Sequence, residues 1–161
     1  MARLPSQWTE HFSAGVSLRV GSCSRDGEPA IGRGLAAELL PDGKVRTLME
    51  GQACAEVLQG VHETGRISVV MGLPSTHRTL HIKGSDGVVA SAETAADHTL
   101  LQLRLDAFAA QVAPFGFARE DLVANWYDVR KGDLWSVTFT IAGAWDQTPG
   151  PGAGQPVELL P

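Results

Sequence analysis

His77 and His81 stand four residues apart in a chain of 161, a spacing that could do metal chemistry. On a helix it would aim two imidazoles at one ion. In extended chain, at ~3.3 Å per residue, the two Cα atoms are about 13 Å apart, too far for one ion to bridge. Leu80 and Ile82 alternate with His81, which is the pattern of a strand, so His81 is expected on a solvent or subunit-facing surface. His77 falls in a turn beside Arg78, where a ligand contact is the fairer expectation. Gly32-Arg33-Gly34-Leu35-Ala36-Ala37 has the spacing of a dinucleotide-binding glycine motif, but Pro41 stops the run before the helix that motif needs. Cys23 and Cys54 fit no CxxC or zinc-ligand spacing, and Cys54 reads as a small core residue. No nucleophile elbow, P-loop or HExxH pattern is present. Trp8, Trp126 and Trp145 lie outside the obvious strands, where tryptophans pack the end of a barrel or stack on a planar ligand.

The elements that must position these residues are mostly strands. Val16, Leu18 and Val20 alternate with polar residues, Arg25-Asp26-Gly27-Glu28-Pro29 supplies a hairpin turn, and Ile31, Arg33, Leu35, Ala37 and Leu39 continue on one face. A second turn at Pro41-Asp42-Gly43 leads into Val45 to Met49, completing an antiparallel meander. From Gln52 the period changes to helical, with Cys54, Val57, Leu58 and Val61 on one stripe and an end near Gly65. Strands resume at Ile67 to Leu73, Arg78 to Lys83 and Val88 to Ser91. A longer amphipathic helix carries Leu101, Leu105, Phe108 and Val112, and a shorter helical turn is expected around Arg119 to Ala124. The last clear strand is Leu134 to Ile141, with Trp135, Val137, Phe139 and Ile141 on one face. The Pro- and Gly-rich run from Pro149 to Gly154 predicts a loop or an arm lying on a surface.

Composition sets the class. The length suits one domain, residues 1–161, with an N-terminal segment at 1–13 and a C-terminal arm at 145–161. Hydrophobic residues make up 43% and charged residues 19%, enough for a packed interior. Thirteen Lys and Arg against 18 Asp and Glu give a net charge of −5, which attracts neither nucleic acid nor an anionic membrane. With no apolar leader and no stretch of ~20 apolar residues, a cytoplasmic protein is expected.

The order of meander, short helix, strand pair with a Pro break, long helix and final strand resembles the FMN-binding split barrel of the pyridoxamine 5'-phosphate oxidase-like superfamily. Ser24-Arg25-Asp26-Gly27-Glu28-Pro29 looks like that family's first hairpin, Gly65-Arg66-Ile67-Ser68-Val69-Val70 like its central strand, and Leu80-His81-Ile82-Lys83-Gly84 like its strand ending in Lys-Gly. The tail from Trp145 to Gly154 is similar to that of one uncharacterised branch. The resemblance implies a mainly β fold with helices, an antiparallel six-stranded split β-barrel. It also implies a homodimer with FMN in a groove between subunits, and an FMN-dependent oxidoreductase whose substrate the sequence does not name.

Carried over residue by residue, the resemblance places Arg33, Gly34, Leu48, Met49 and Gln52 against the cofactor, with the turn residues His77, Arg78 and Thr79 at its border. Arg33 and Arg78 would hold the phosphate, and Trp145 of a partner would shield the ring. The helix-start segment Glu50 to Glu56 departs from the family pattern in having no cation. A phosphate there would need Arg33, Arg46 or Arg78 to reach it. That departure motivates an alternative, a non-enzymatic split-barrel module for haem or another ligand, with His77 or His81 as one axial ligand.

Overall fold

A computed structural model describes residues 3–126 and 131–161. Strands β1 (Ser17–Cys23), β2 (Pro29–Leu39) and β3 (Val45–Glu50) form the expected meander. Its first turn closes as the alternation requires, with Gly27 at φ 90° and the Ser24 N–H donating to Glu28 O at 2.9 Å. Helix α2 follows at Ala55–Thr64, and Gly65 ends it in the left-handed region, its N–H donating to Val61 O. Then come β4 (Ile67–Gly72), β5 (Thr79–Gly84), β6 (Val88–Ser91), helix α3 (Ala95–Val112), the short α4 (Arg119–Val123), β7 (Leu134–Phe139), β8 (Gly143–Asp146) and β9 (Gln155–Pro156). A four-residue helix α1 (Ser6–Thr9) precedes them all.

The strands form one antiparallel sheet in the order β6-β7-β3-β2-β1-β4-β5-β8-β9, nine among the described residues. The two ends of that order do not pair, so the expected six-stranded barrel is corrected to a longer, open sheet. The extra strands are short edge pieces. β8 is cut off from β7 by the bend at 140–142, and β9 has two residues inside a Pro- and Gly-rich tail that carries no alternation signal. The arm is therefore part of its own chain's sheet. Gly154 N–H donates to Asp146 O at 2.7 Å, Val157 N–H to Ala144 O at 2.8 Å, and Leu160 bridges to Arg3. Val157 and Leu159 pack on the main core, and the strand expected to run to Ile141 ends at Phe139, with β8 and β9 following it.

Two cores lie on opposite faces of the sheet. The larger, inside its curl, holds Leu18, Val20, Val69, Met71, Leu80, Ile82 and Phe139; α2 closes it with Val57 and Val61, and the N-terminal segment with Trp8 and Phe12. The smaller lies under α3 and joins Leu101 to Leu35, Ala36, Leu48 and Leu134. A bulge between Gly34 and Ala36 shifts the register of β2 against β3. Beyond it Leu35 faces α3 while Ala37 faces the main core, so the single face expected for Leu35 and Ala37 is corrected. On β7 the exposed residue is Trp135, and both Ser136 and Val137 are buried because this strand has a core on each side.

Helix α3 is fixed at its start by a reciprocal capping box: Thr94 Oγ1 accepts from the Asp97 N–H, and Asp97 Oδ2 accepts from the Thr94 N–H. Asp97 also pairs with Arg46 of β3 at 2.6 Å while 2% exposed. Burial alone would raise the Asp97 carboxyl, but hydrogen bonds from Arg46 and Thr94 outweigh it and hold it below the usual aspartate value. Asp97→Asn is expected to cost about 2–4 kcal/mol, since it leaves a half-buried guanidinium with a weakened partner and loosens the cap. Because the folded carboxyl titrates below the unfolded one, the wild-type contribution is complete above about pH 4 and fades as pH falls further. Urea unfolding of both proteins at pH 7 and pH 3 checks both statements.

Candidate functional site

Alternation along the strands gives each one an inner and an outer row, and the small core under helix α3 lies on the outer face over β2, β3 and β7. On the half formed by β2-β1-β4-β5-β8, cross-strand register places Arg33, Arg19, Val70, His81 and Trp145 in one line. The next line is Ile31, Gly21, Ser68, Lys83 and Gly143, and Cys23 and the strand-flanking Arg66 continue the face. From β2 to β8 it spans four inter-strand steps, about 19 Å at ~4.8 Å each. Ile31 is 78% exposed.

The face is electrostatically one-sided. Arg19, Arg33, Arg66 and Lys83 lie on it, and among the described residues none of them is in an ion pair and no carboxylate falls in the paired rows of this face. Arg19 and Arg33 are direct cross-strand partners. Arg33 stacks on Trp126 at 4.5 Å and donates to Asn125 O at 3.1 Å, and desolvation together with Arg19 lowers its pKa. Arg19, Arg33, Trp126 and Phe108 help wall a cleft of about 220 Å³. Toward the other end, His81 Nε2 and Ser68 Oγ are 2.8 Å apart, and Lys83 Nζ lies 5.1 Å from the Trp145 ring centre. Partial burial, then Lys83, lowers the His81 pKa, so the ring stays neutral to a lower pH than a free histidine.

Three of the residues implied by resemblance, Arg33, Thr79 and Trp145, lie on this face, with Arg33 at its β2 edge and Trp145 at its β8 edge. Gly34 lies on the opposite side, where a side chain would collide with Leu18. The side chains of Leu48 and Met49 are fully buried, one in each core. Arg78 turns the other way from Thr79, stacking on Trp8 at 4.6 Å, pairing with Glu10 and donating to Gln7 O at 2.7 Å. His77 is exposed in the turn at φ 60°, and its carbonyl accepts from Thr79 Oγ1 at 2.9 Å. Gln52 is exposed at the helix start, but its N–H already donates to Asp133 Oδ2 at 2.6 Å. That carboxylate lies at the helix start beside Glu50, which pairs with Lys131 at 2.6 Å, and Glu56 follows in the first turn of α2.

Sequence reasoning missed Arg19, Gly21, Arg66, Ser68 and Lys83. Their only signal is that they alternate with core residues, as any solvent-facing strand residue does, and register is what brings them together. It also missed that Arg66 Nη1 lies 3.8 Å from Cys23 Sγ. Cys54 is buried as expected, and burial pushes its thiol pKa up.

Neither a protein-family model nor a curated protein sequence matches the chain. Solved structures do share its architecture. An F420 reductase superposes with a TM-score of 0.56 at 11% identity, covering 88% of this chain and 98% of its own. A candidate pyridoxamine 5'-phosphate oxidase from Lactobacillus delbrueckii gives 0.51 at 13%, covering 89% and 93%. HutZ, a haem storage protein from Vibrio cholerae, gives 0.52 at 11%, covering 89% and 94%. At these identities the likeness is one of fold: the chain has the split-barrel fold of the pyridoxamine 5'-phosphate oxidase-like proteins.

Burial and then the nearby Lys83 charge lower the His81 pKa, so Lys83→Met is expected to move it up toward 6.5. Titration of the His81 ring signals by NMR measures this, and an unchanged midpoint would remove Lys83 as a cause.

Proposed function

We propose that this chain binds FMN on the β2-β1-β4-β5-β8 face, in a groove completed by a second copy, and serves as a flavin-dependent oxidoreductase. The observation that carries the reading is the face itself, which among the described residues has four cations without ion pairs, no carboxylate in its paired rows, and a tryptophan at its edge. The helix start does not suit a phosphate, because Asp133 occupies the Gln52 N–H and would repel a dianion. Arg33 with Arg19 beside it suits one well, since an anion would relieve the repulsion between two facing guanidiniums.

The floor fits a flat ring system. Gly21 has no side chain and Val70 is small and apolar, while Trp145 borders them. Bound flavin would supply the electron transfer, and the chain supplies orientation and electrostatics. Ser68 and His81 can hold a proton at Nε2 or pass it to the hydroxyl. A second copy would cover the exposed Ile31, and facing cations in such an interface favour assembly around an anion.

One observation favours a second reading, a haem-binding module: His81 is kept neutral on the same face, and a neutral imidazole can ligate iron. Titration separates the two. The flavin reading expects quenching of FMN fluorescence, weakened about tenfold or more in Arg33→Gln as a charge-assisted contact is lost. It also expects a dimer on sedimentation. No flavin binding by the intact chain, together with a Soret shift that His81→Ala abolishes, would replace it with the haem reading.

A further inference from the structure

One titratable group lies wholly inside the molecule, away from the outer face. His11 belongs to the short helical turn Glu10–Phe12, is fully enclosed, and has no hydrogen-bond partner on either ring nitrogen among the described residues. Histidine changes charge near neutral pH, and an enclosed imidazole costs far less neutral than charged. We propose that His11 makes the N-terminal segment, residues 4–14, an acid-released strap: protonation of the ring frees the strap from the core while the sheet stays folded. The inference does not depend on what binds to the outer face.

The strap is held by side chains rather than by a strand ladder. Leu4, Trp8 and Phe12 enter the main core, and among the described residues the backbone-to-backbone tie at this end is the Arg3–Leu160 bridge just before the strap. Arg78 clasps it from the β4–β5 turn, stacking on Trp8, pairing with Glu10 and donating to Gln7 O. Gly15, at φ 60°, joins it to β1 and can serve as the hinge. His11 packs 5.4 Å from the Trp8 ring and lines a small cavity with Leu18 of β1, Leu35 of β2 and Arg104 of α3. The charged groups facing it are Arg78, Arg104 and Glu10, and the cavity residues from β1 and β2 are apolar. Both acids nearby are already engaged: Glu10 with Arg78, and Glu38, which acts on Arg104, with Arg46. A proton on His11 therefore meets two guanidiniums and no carboxylate of its own. Burial, with the Arg78 charge, lowers the His11 pKa below 6.5, outweighing Glu10 and the Arg78 and Trp8 carbonyls, which favour the charged ring. In the released strap the ring meets water and regains its ordinary value. The docked form then binds fewer protons than the released one, so docking is at full strength above about pH 6.5 and weakens as pH falls below it.

Amide hydrogen exchange of the full chain between about pH 8 and pH 5, corrected for intrinsic rates, is the test. The Trp8, Ser13 and Ala14 amides, each hydrogen-bonded within the strap, report its release, and those of Val69 and Met71 on β4 report the sheet. The expected result is level strap protection above about pH 7 and a fall of up to about tenfold between pH 6 and pH 5, the limit for uptake of one proton. Protection on β4 is expected to change less, and both His11→Phe and His11→Gln, which carry no charge at any pH, are expected to remove the fall at the strap. The pH range lies above that in which Asp97 titrates. Strap protection that does not vary with pH, an equal fall on β4, or the same fall in a folded variant without the imidazole would each overturn the proposal.

Discussion

The Arg46–Asp97 ion pair fixes which part of the outer sheet face is covered. Asp97 sits at the third position of α3 and is nearly inaccessible, so its pairing with β3 holds the helix over β2, β3 and β7. Toward β1 the cover thins to Phe108 of α3 and Trp126, which wall a cleft with Arg19 and Arg33. A sheet of this length must bury both faces where it can, and the half left bare is where its charged residues collect. The candidate site is the part of the sheet beyond the small core under α3, with Phe108 of that helix at its Arg19–Arg33 end.

That division explains why like charges are tolerated. Arg19 facing Arg33 is an unfavourable cross-strand pair; Arg33 stacks on Trp126 and Arg19 donates to Leu18 O at 3.1 Å in place of ion pairing. On a chain with a net charge of −5, a patch of four cations without acids stands against the average composition. The acids are used elsewhere: Asp97 and Glu38 on Arg46, Glu10 on Arg78, and Asp133 at the helix start. The helix-start anion position is thus satisfied internally, and positive charge available to a ligand is moved to the sheet.

Much of the fold was legible because strands and helices leave periodic patterns. The β1 to β3 meander, α2 with its glycine end, and β4 and β5 follow from alternation and turn chemistry in Leu18, Val20, Gly27, Gly65 and Ile82. What escaped has physical reasons. The bulge after Gly34 turns β2 over without changing its composition, and β8 and β9 are too short to carry a period. The start of α3 at Ala95 lies in Thr94 and Asp97, a capping box ahead of the first apolar residues. The site was legible only at Arg33, Thr79 and Trp145. Whether Arg19 meets Arg33, or Ser68 meets His81, depends on register between strands far apart in sequence, which one-dimensional alternation does not specify. Arg78 was misplaced for a related reason: its partners Trp8 and Glu10 come from the N-terminal segment, and the pull of that contact leaves no local trace.

The account's central claim is that ligand binds on the bare β2-β1-β4-β5-β8 face, and a crystal structure of the chain grown with FMN tests it most directly. The account predicts planar density over Gly21 and Val70, with its phosphate against Arg19 and Arg33 and its ring beside Trp145. Flavin density seated instead at the helix start, with the Asp133 carboxylate displaced from the Gln52 N–H, would contradict it.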